Sequence, residues 1–202
     1  MLARQIERVR RCELVDRLVL ATSHKVEDEG VHRIAHTEGI ECWPGDLHNV
    51  FDRIYTCAKH YHDLYGAEHV VRLTGDCPLA DPGIIDETIA LHLDGQLDYT
   101  SNVEPCTYPD GLDCEVFTFA ALQAAHKAMC EAREHVTTLF RKPLRWKVGS
   151  LQHTPNLAHL RWTVDYPQDL EKVRRVYAAL YDANPAFTWE DVLEWEEKHG
   201  RL

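Results

Sequence analysis

The stretch 70-VVRLTGDCPLADP-82 begins apolar and ends in a turn, with Asp76 at the junction. A short apolar run closed by turn residues reads as a buried strand. Gly75 and Pro78 bracket Asp76 in a turn that lets backbone approach a ligand closely. Asp81 then stands where a helix cap belongs, and Pro82 falls in the first helical turn, where a missing N–H costs nothing. The order strand, carboxylate, helix puts an acid beyond the carboxyl end of a strand. That is where open α/β sheets bind their ligands.

The same order repeats on both sides. LVLATS (18–23) reads as a buried strand, and residues 45–62 read as a helix with Asp46 as its cap. LDYTSN (97–102) is a short strand. In GLDCEVF (111–117), Leu112, Cys114 and Val116 share one face, and Asp113 and Glu115 the other. An alanine-rich helix follows over 120–132. LRWTVD (160–165) alternates again, with Leu160, Trp162 and Val164 opposite Arg161, Thr163 and Asp165. Helices over 166–180, opened by Pro167, and 188–200 close the chain, and residues 1–17 form an amphipathic basic helix. Strands alternating with helices predict one α/β domain over 1–202, built on a mostly parallel sheet with a hairpin or mixed edge in the strand-rich middle.

Bulk properties narrow the function. The chain has 202 residues and a net charge of −11, which argues against nucleic acid or an anionic membrane as its main partner. There is no apolar run of bilayer length and no signal-peptide h-region. Seven scattered cysteines, with no CxxC pair, fit small buried residues in a reducing cytoplasm better than a zinc site or a disulfide framework. Thirteen histidines occur without an HExxH, so a dedicated histidine metal site is not expected.

Three segments carry candidate chemistry. Asp76 ends VVRLTGD and Asp165 ends LRWTVD. If those segments are neighbours, two hard oxygen ligands converge, a set that suits Mg²⁺ with substrate phosphates. Alternatively Asp165 caps the helix after it. The second segment, 100–117, gathers Asn102, Tyr108, Asp110, Asp113 and Glu115 around a turn rich in proline and glycine. Such a face either grips a hydroxylated ligand or is a solvated hairpin. The third is REH, where Arg133 and His135 can hold a carboxylate or phosphate, or be surface charge.

Taken in order, LVLATS, DRI, VVRLTGDCPLADPGIID, DYTSN, YPDGLDCEVF, REHVT and RWTVDYPQDLEKVR resemble the cytidylyltransferase family of spore-coat polysaccharide biosynthesis protein F, related to the acylneuraminate and 3-deoxy-manno-octulosonate cytidylyltransferases. The likeness runs from about residue 2 to about residue 180. It implies a Rossmann-like nucleotide-diphospho-sugar transferase fold. It implies transfer of CMP from CTP to a sugar acid or related sugar acceptor, with Mg²⁺ and release of pyrophosphate, and a homodimer. By motif, Asp76 and Asp165 are the metal carboxylates and catalytic residues. Ser23, Arg53, Thr74 and Gly75 lie on the nucleotide side. Asn102, Tyr108, Asp113, Glu115, Arg133 and His135 lie on the sugar side.

The sequence departs from that family in one respect. A first strand and a glycine-rich basic loop of the form ARxGSxRxPGK, an anion nest for a triphosphate, have no counterpart after Met1. The expected consequences are a sheet lacking its first strand, a gap at its centre, and little transferase activity. A non-catalytic sugar- or partner-binding domain of the same fold, and a uridylyl- or guanylyl-transferase, are the competing readings.

Overall fold

The computed structural model describes residues 1–128, 140 and 145–200. Helix α1 (Leu2–Val9) leads into β1 (Val19–Ser23), a 3₁₀ turn (Val26–Asp28), α2 (Glu29–Glu38) and β2 (Glu41–Gly45). Then come α3 (Val50–Tyr65), β3 (His69–Arg72), α4 (Pro82–Asp94), β4 (Tyr99–Ser101), β5 (Glu115–Thr118) and α5 (Phe119–Ala128). Strand β6 (Val148–Ser150), α6 (Pro167–Leu180) and α7 (Trp189–His199) complete the described elements.

The helix starts follow local chemistry. The Asp81 carboxylate accepts from Gly83 N at 2.9 Å and Ile84 N at 3.4 Å, so it caps α4 as expected. For α3 the cap is Asn49, not Asp46: Asn49 Oδ1 accepts from Asp52 N at 3.1 Å. Asp46 instead closes the preceding turn, accepting from His48 N and Asn49 N at 2.7 Å each. At α6 the carboxylate that serves the first turn is Asp169, which accepts from Tyr166 N and Asp165 N. The capping role that local sequence left open for Asp165 is therefore filled by another residue.

The sheet is mixed and divided. Strands β1 and β2 pair in parallel, Val19 opposite Glu41 through Ser23 opposite Gly45. The other four run in the order β3-β5-β4-β6. Strand β5 is antiparallel to both β3 and β4, while β6 is parallel to β4. Strand β2, with Pro44 inside it, escapes a pattern-based reading. Among the described residues it pairs on one side alone, where a residue without an N–H is tolerated.

The segment 160–165 is not a ladder strand. It makes a single parallel bridge, Arg161 with Asp110. Its alternation holds only in part: Leu160 and Trp162 are buried and Val164 half-buried, but Thr163 on the opposite face is buried too. Among the described residues Cys57, Cys77 and Cys114 are buried, Cys106 is exposed, and the cysteines are free thiols.

Three apolar clusters hold the layers. One lies beneath the 108–112 turn and the 160–162 segment, and joins Leu79, Leu112, Trp162, Val176, Phe187 and Val192. A second packs Phe51, Tyr99, Phe117, Leu122 and Phe140, and a third Val9, Ile85, Cys114 and Val116. Arg8 ties the first of these clusters to the third. It is fully buried, donating to Ala80 O at 2.7 Å, Phe187 O at 2.9 Å and Asp81 Oδ2 at 3.2 Å. Trp189 N also donates to Asp81, at 2.9 Å. One buried ion pair thus fixes α1, the start of α4 and the start of α7, and its full hydrogen bonding is what makes its burial tolerable. Among the described residues no helix is long and apolar enough to cross a membrane.

Candidate functional site

The site forms where three loops meet: the turn after β3, the 108–113 turn, and the 161–165 segment. Val164 N donates to Asp76 O at 2.8 Å, and Thr163 Oγ1 to Asp76 Oδ2 at 3.2 Å. Asp76 and Asp165 are therefore carried on neighbouring backbones, although the chain between them is long. Asp110 N donates to Leu160 O at 3.0 Å and Trp162 N to Asp110 O at 2.6 Å, which docks the third loop. Gly111 permits that docking. Its φ is +107°, and a Cβ there would stand 2.6 Å from Thr163 N, so any side chain would push the two loops apart.

The electrostatics are acidic around one cation. Burial first, and Asp110 next, push the Asp113 carboxyl up to about 6. Asp110 is also raised, by burial first, with the opposing pull of Arg161 second. The Arg161 guanidinium contacts Asp165 through Nη2, Asp169 through Nη1 at 2.8 Å, and Asp110 through Nε at 3.7 Å. Its hydrogen bond holds the Asp169 carboxyl below the usual range.

On the nucleotide side, Thr74, Gly75 and Asp76 share one turn. Thr74 Oγ1 lies 3.2 Å from Cys77 Sγ, and a Cβ on Gly75 would meet nothing within 4 Å, so the space above it is open. Ser23 ends β1 and is 1% exposed, its hydroxyl donating to Asp28 Oδ2 at 2.6 Å. Bonds from Ser23, then Thr22, hold the Asp28 carboxyl low. Arg53 packs its stem on Gly45, where a Cβ would stand 2.6 Å from Arg53 Cγ. Its Nη1 donates to Asp46 O at 2.8 Å, and its buried Nε has no partner among the described residues. Ser23 thus ends β1, and Arg53 packs against the last residue of β2.

On the sugar side, three polar side chains serve the fold. Asn102 is 2% exposed; its Nδ2 donates to Leu112 O at 2.7 Å and its Oδ1 accepts from Cys114 N at 2.8 Å. Glu115 is 3% exposed and takes Arg72 and the Tyr99 hydroxyl, the latter at 2.7 Å. Tyr108 is buried edge-on to Trp189, with ring centroids 5.7 Å apart. The solvated-hairpin reading therefore fails for Glu115, while Asp110 and Asp113 remain half-buried at the acidic loops. Arg133 and His135 lie outside the described residues. Asp110 stood among the candidates of the 100–117 segment, whereas Arg161 and Thr163 belong to the site but were not singled out for it. The signal that finds them is the shared face of Arg161, Thr163 and Asp165.

Comparisons with known proteins bear on the family and the fold. The cytidylyltransferase family profile matches residues 1–146. The chain is 32% identical over 171 residues to an uncharacterized protein of Methanocaldococcus jannaschii, covering 82% of this chain and 68% of that one. It is 28% identical over 168 residues to the spore coat polysaccharide biosynthesis protein SpsF of Bacillus subtilis, covering 80% and 67%. A cytidylyltransferase structure from Leptospira borgpetersenii superposes with a TM-score of 0.90 at 24% identity, over 100% of this chain and 87% of the other. The fold also matches CMP:2-keto-3-deoxy-manno-octonic acid synthetase complexed with CTP, with a TM-score of 0.62 at 17% identity over 88% of each chain. A profile match across well over half of the sequence, on a shared nucleotide-diphospho-sugar transferase fold, places this chain in the cytidylyltransferase family.

Proposed function

We propose that this chain transfers CMP from CTP to a sugar acid or related sugar, releasing pyrophosphate, in surface polysaccharide biosynthesis. The observation that carries the reading is the 2.8 Å bond from Val164 N to Asp76 O, which sets two acid-bearing segments side by side in a cytidylyltransferase chain. The name of the Bacillus subtilis relative supports the pathway class.

In this reaction an acceptor oxygen bonds to the α-phosphorus in line. The bond to the α,β-bridging oxygen breaks, and pyrophosphate leaves with the electron pair. What the protein must supply is alignment and charge neutralisation. Thr163 and the Val164 amide would fix Asp76, and the open space over Gly75 would admit phosphate oxygens close to backbone. Among the described residues no three metal-ligating side chains converge. Two carboxylates on neighbouring loop backbones nonetheless fit Mg²⁺, which takes one or two carboxylates and completes its shell with water and substrate phosphate. Asp76 and Asp165 would hold it, and when bound it supplies Lewis-acid polarisation of the α-phosphoryl oxygen.

Thermal-shift titration of the 202-residue protein with CTP, UTP, GTP and ATP, each with Mg²⁺, tests the reading. CTP should stabilise selectively, by about 2.7 kcal/mol at 100 times its Kd. Asp76→Ala and Asp165→Ala should remove the Mg²⁺-dependent part. Equal stabilisation by another nucleotide, or indifference of both variants, would sink it. CTP binding with no pyrophosphate release across a sugar panel would favour the binding-domain reading.

A further inference from the structure

Arg161 occupies an unusual place for a cation in a site meant to collect acids. Its guanidinium spans three carboxylates: Asp165, Asp169 and, more loosely, Asp110. The three contacts are unequal. Asp169 is a fixed post, because its Oδ2 also accepts from Asp165 N at 3.0 Å and Tyr166 N at 2.9 Å, and its side chain is 15% exposed. Asp165 is a free arm. Its side chain is 50% exposed, and among the described residues its carboxylate is engaged by Arg161 alone. The nearby Lys172 is committed elsewhere, since its Nζ donates to Arg161 O at 3.1 Å and pairs with Glu196.

We propose that Arg161 is the positioning residue of the metal site: it holds Asp165 while no divalent cation is bound, and yields it to the cation while remaining anchored on Asp169. The inference rests on the metal reading of Asp76 and Asp165 given above. A guanidinium suits this role because its planar fork binds two carboxylates at once and stays charged at any working pH. One prong can release Asp165 while the other keeps Asp169, so Arg161 need not leave the site. The arrangement keeps four neighbouring acids, Asp76, Asp110, Asp165 and Asp169, from repelling one another before substrate arrives. Its cost is weaker divalent binding, since the cation must displace an existing positive partner. An exposed ion pair of this kind shifts a competing equilibrium by about two- to fivefold.

The experiment is a Mn²⁺ titration of the full chain, read by electron paramagnetic resonance and calorimetry. Arg161→Gln should tighten Mn²⁺ by about two- to fivefold. Arg161→Lys, which keeps the charge and loses the fork, should fall between. In the wild type, the Arg161 Nε–Hε resonance, assigned by its loss in Arg161→Lys, should move with Mg²⁺ at the same midpoint as binding. Unchanged or weaker Mn²⁺ binding in Arg161→Gln overturns the proposal, as does an Arg161 resonance that ignores Mg²⁺. Asp76→Asn and Asp165→Asn separate the two readings. If both abolish binding but Arg161→Gln does not tighten it, Arg161 loses its role and the metal site stands. If binding survives in both, or if neither wild type nor Arg161→Gln binds Mn²⁺, both readings fall.

Discussion

Asp113 shows how one residue can be legible in position and hidden in state. The alternation of 112–116 places it opposite Leu112 and Cys114. It does not say how deep that opposite face lies, because alternation reports side and not burial. In the structure Asp113 stands half-buried, with Asp110, Glu115 and Asp76 acting on it. Its folded pKa of about 6 exceeds the ordinary 3.8. The folded state therefore binds the proton more tightly. Its stabilising share is complete below about 4 and is lost as pH rises through 6, so at pH 7 the charged carboxylate destabilises the fold. Asp113→Asn should raise stability at pH 7 by about 1–3 kcal/mol. Urea melts at pH 7 and pH 3.5 check it, with the gain expected only at the higher pH. No gain at pH 7 would mean that the carboxylate finds compensation in the fold. A destabilising acid kept at a site is the usual pattern of stability traded for function.

At the scale of elements, most starts and stops were written locally. Pro82 behind Asp81, Pro167 behind Tyr166, and Thr188 three residues before Asp191 are each readable from a few neighbours. What locality hid is how elements touch. His92, on the buried face of α4, bridges His69 of β3 and Thr100 of β4, at 3.1 Å each. Burial, and then His69, lower its pKa to about 4 from 6.5. Unfolded chain takes up this proton below 6.5, but folded chain does so only near 4. The stabilising share is therefore complete above 6.5 and is lost as pH falls toward 4, up to about 3 kcal/mol. His92→Gln should flatten this acid limb of the stability profile. The sign is opposite to that of Asp113 over an overlapping range, so the two single variants resolve what the wild-type curve mixes. An acid limb unchanged in His92→Gln would remove His92 as its source.

For the whole molecule, the decisive feature is the division between β1–β2 and β3-β5-β4-β6. Strands β4 and β5 are paired on both sides, whereas β1 and β3 each have one partner among the described strands. Open strand edges present unpaired N–H and C=O groups and are templates for further pairing. Amide hydrogen exchange should then find β4 and β5 protected throughout, with every second amide of β1 and β3 exchanging much faster. Uniform protection in β1 and β3 would show that another chain covers those edges in solution, and sedimentation would identify a second copy. Without such a cover, the half of the fold that carries Ser23 and Arg53 is joined to the acidic loops by side-chain packing, not by a continuous ladder.

The sequence alone determined what short-range interactions encode. Hydrophobic period, caps, turn glycines and the acids that close short apolar runs each depend on a few successive residues, and they sufficed for the α/β class and most elements, while the motifs in their order carried the family resemblance. Tertiary structure alone decided which polar groups are spent on the fold. Asn102 and Glu115 look like ligands in the sequence and are buried braces in the structure, while Arg161 looks like surface charge and holds three acids. It also decided that β5 runs antiparallel and that 160–165 docks as a bridge. The physical reason is distance along the chain. Thr163 meets Asp76 across 87 residues, and no local pattern in either segment specifies a partner that only the topology brings near.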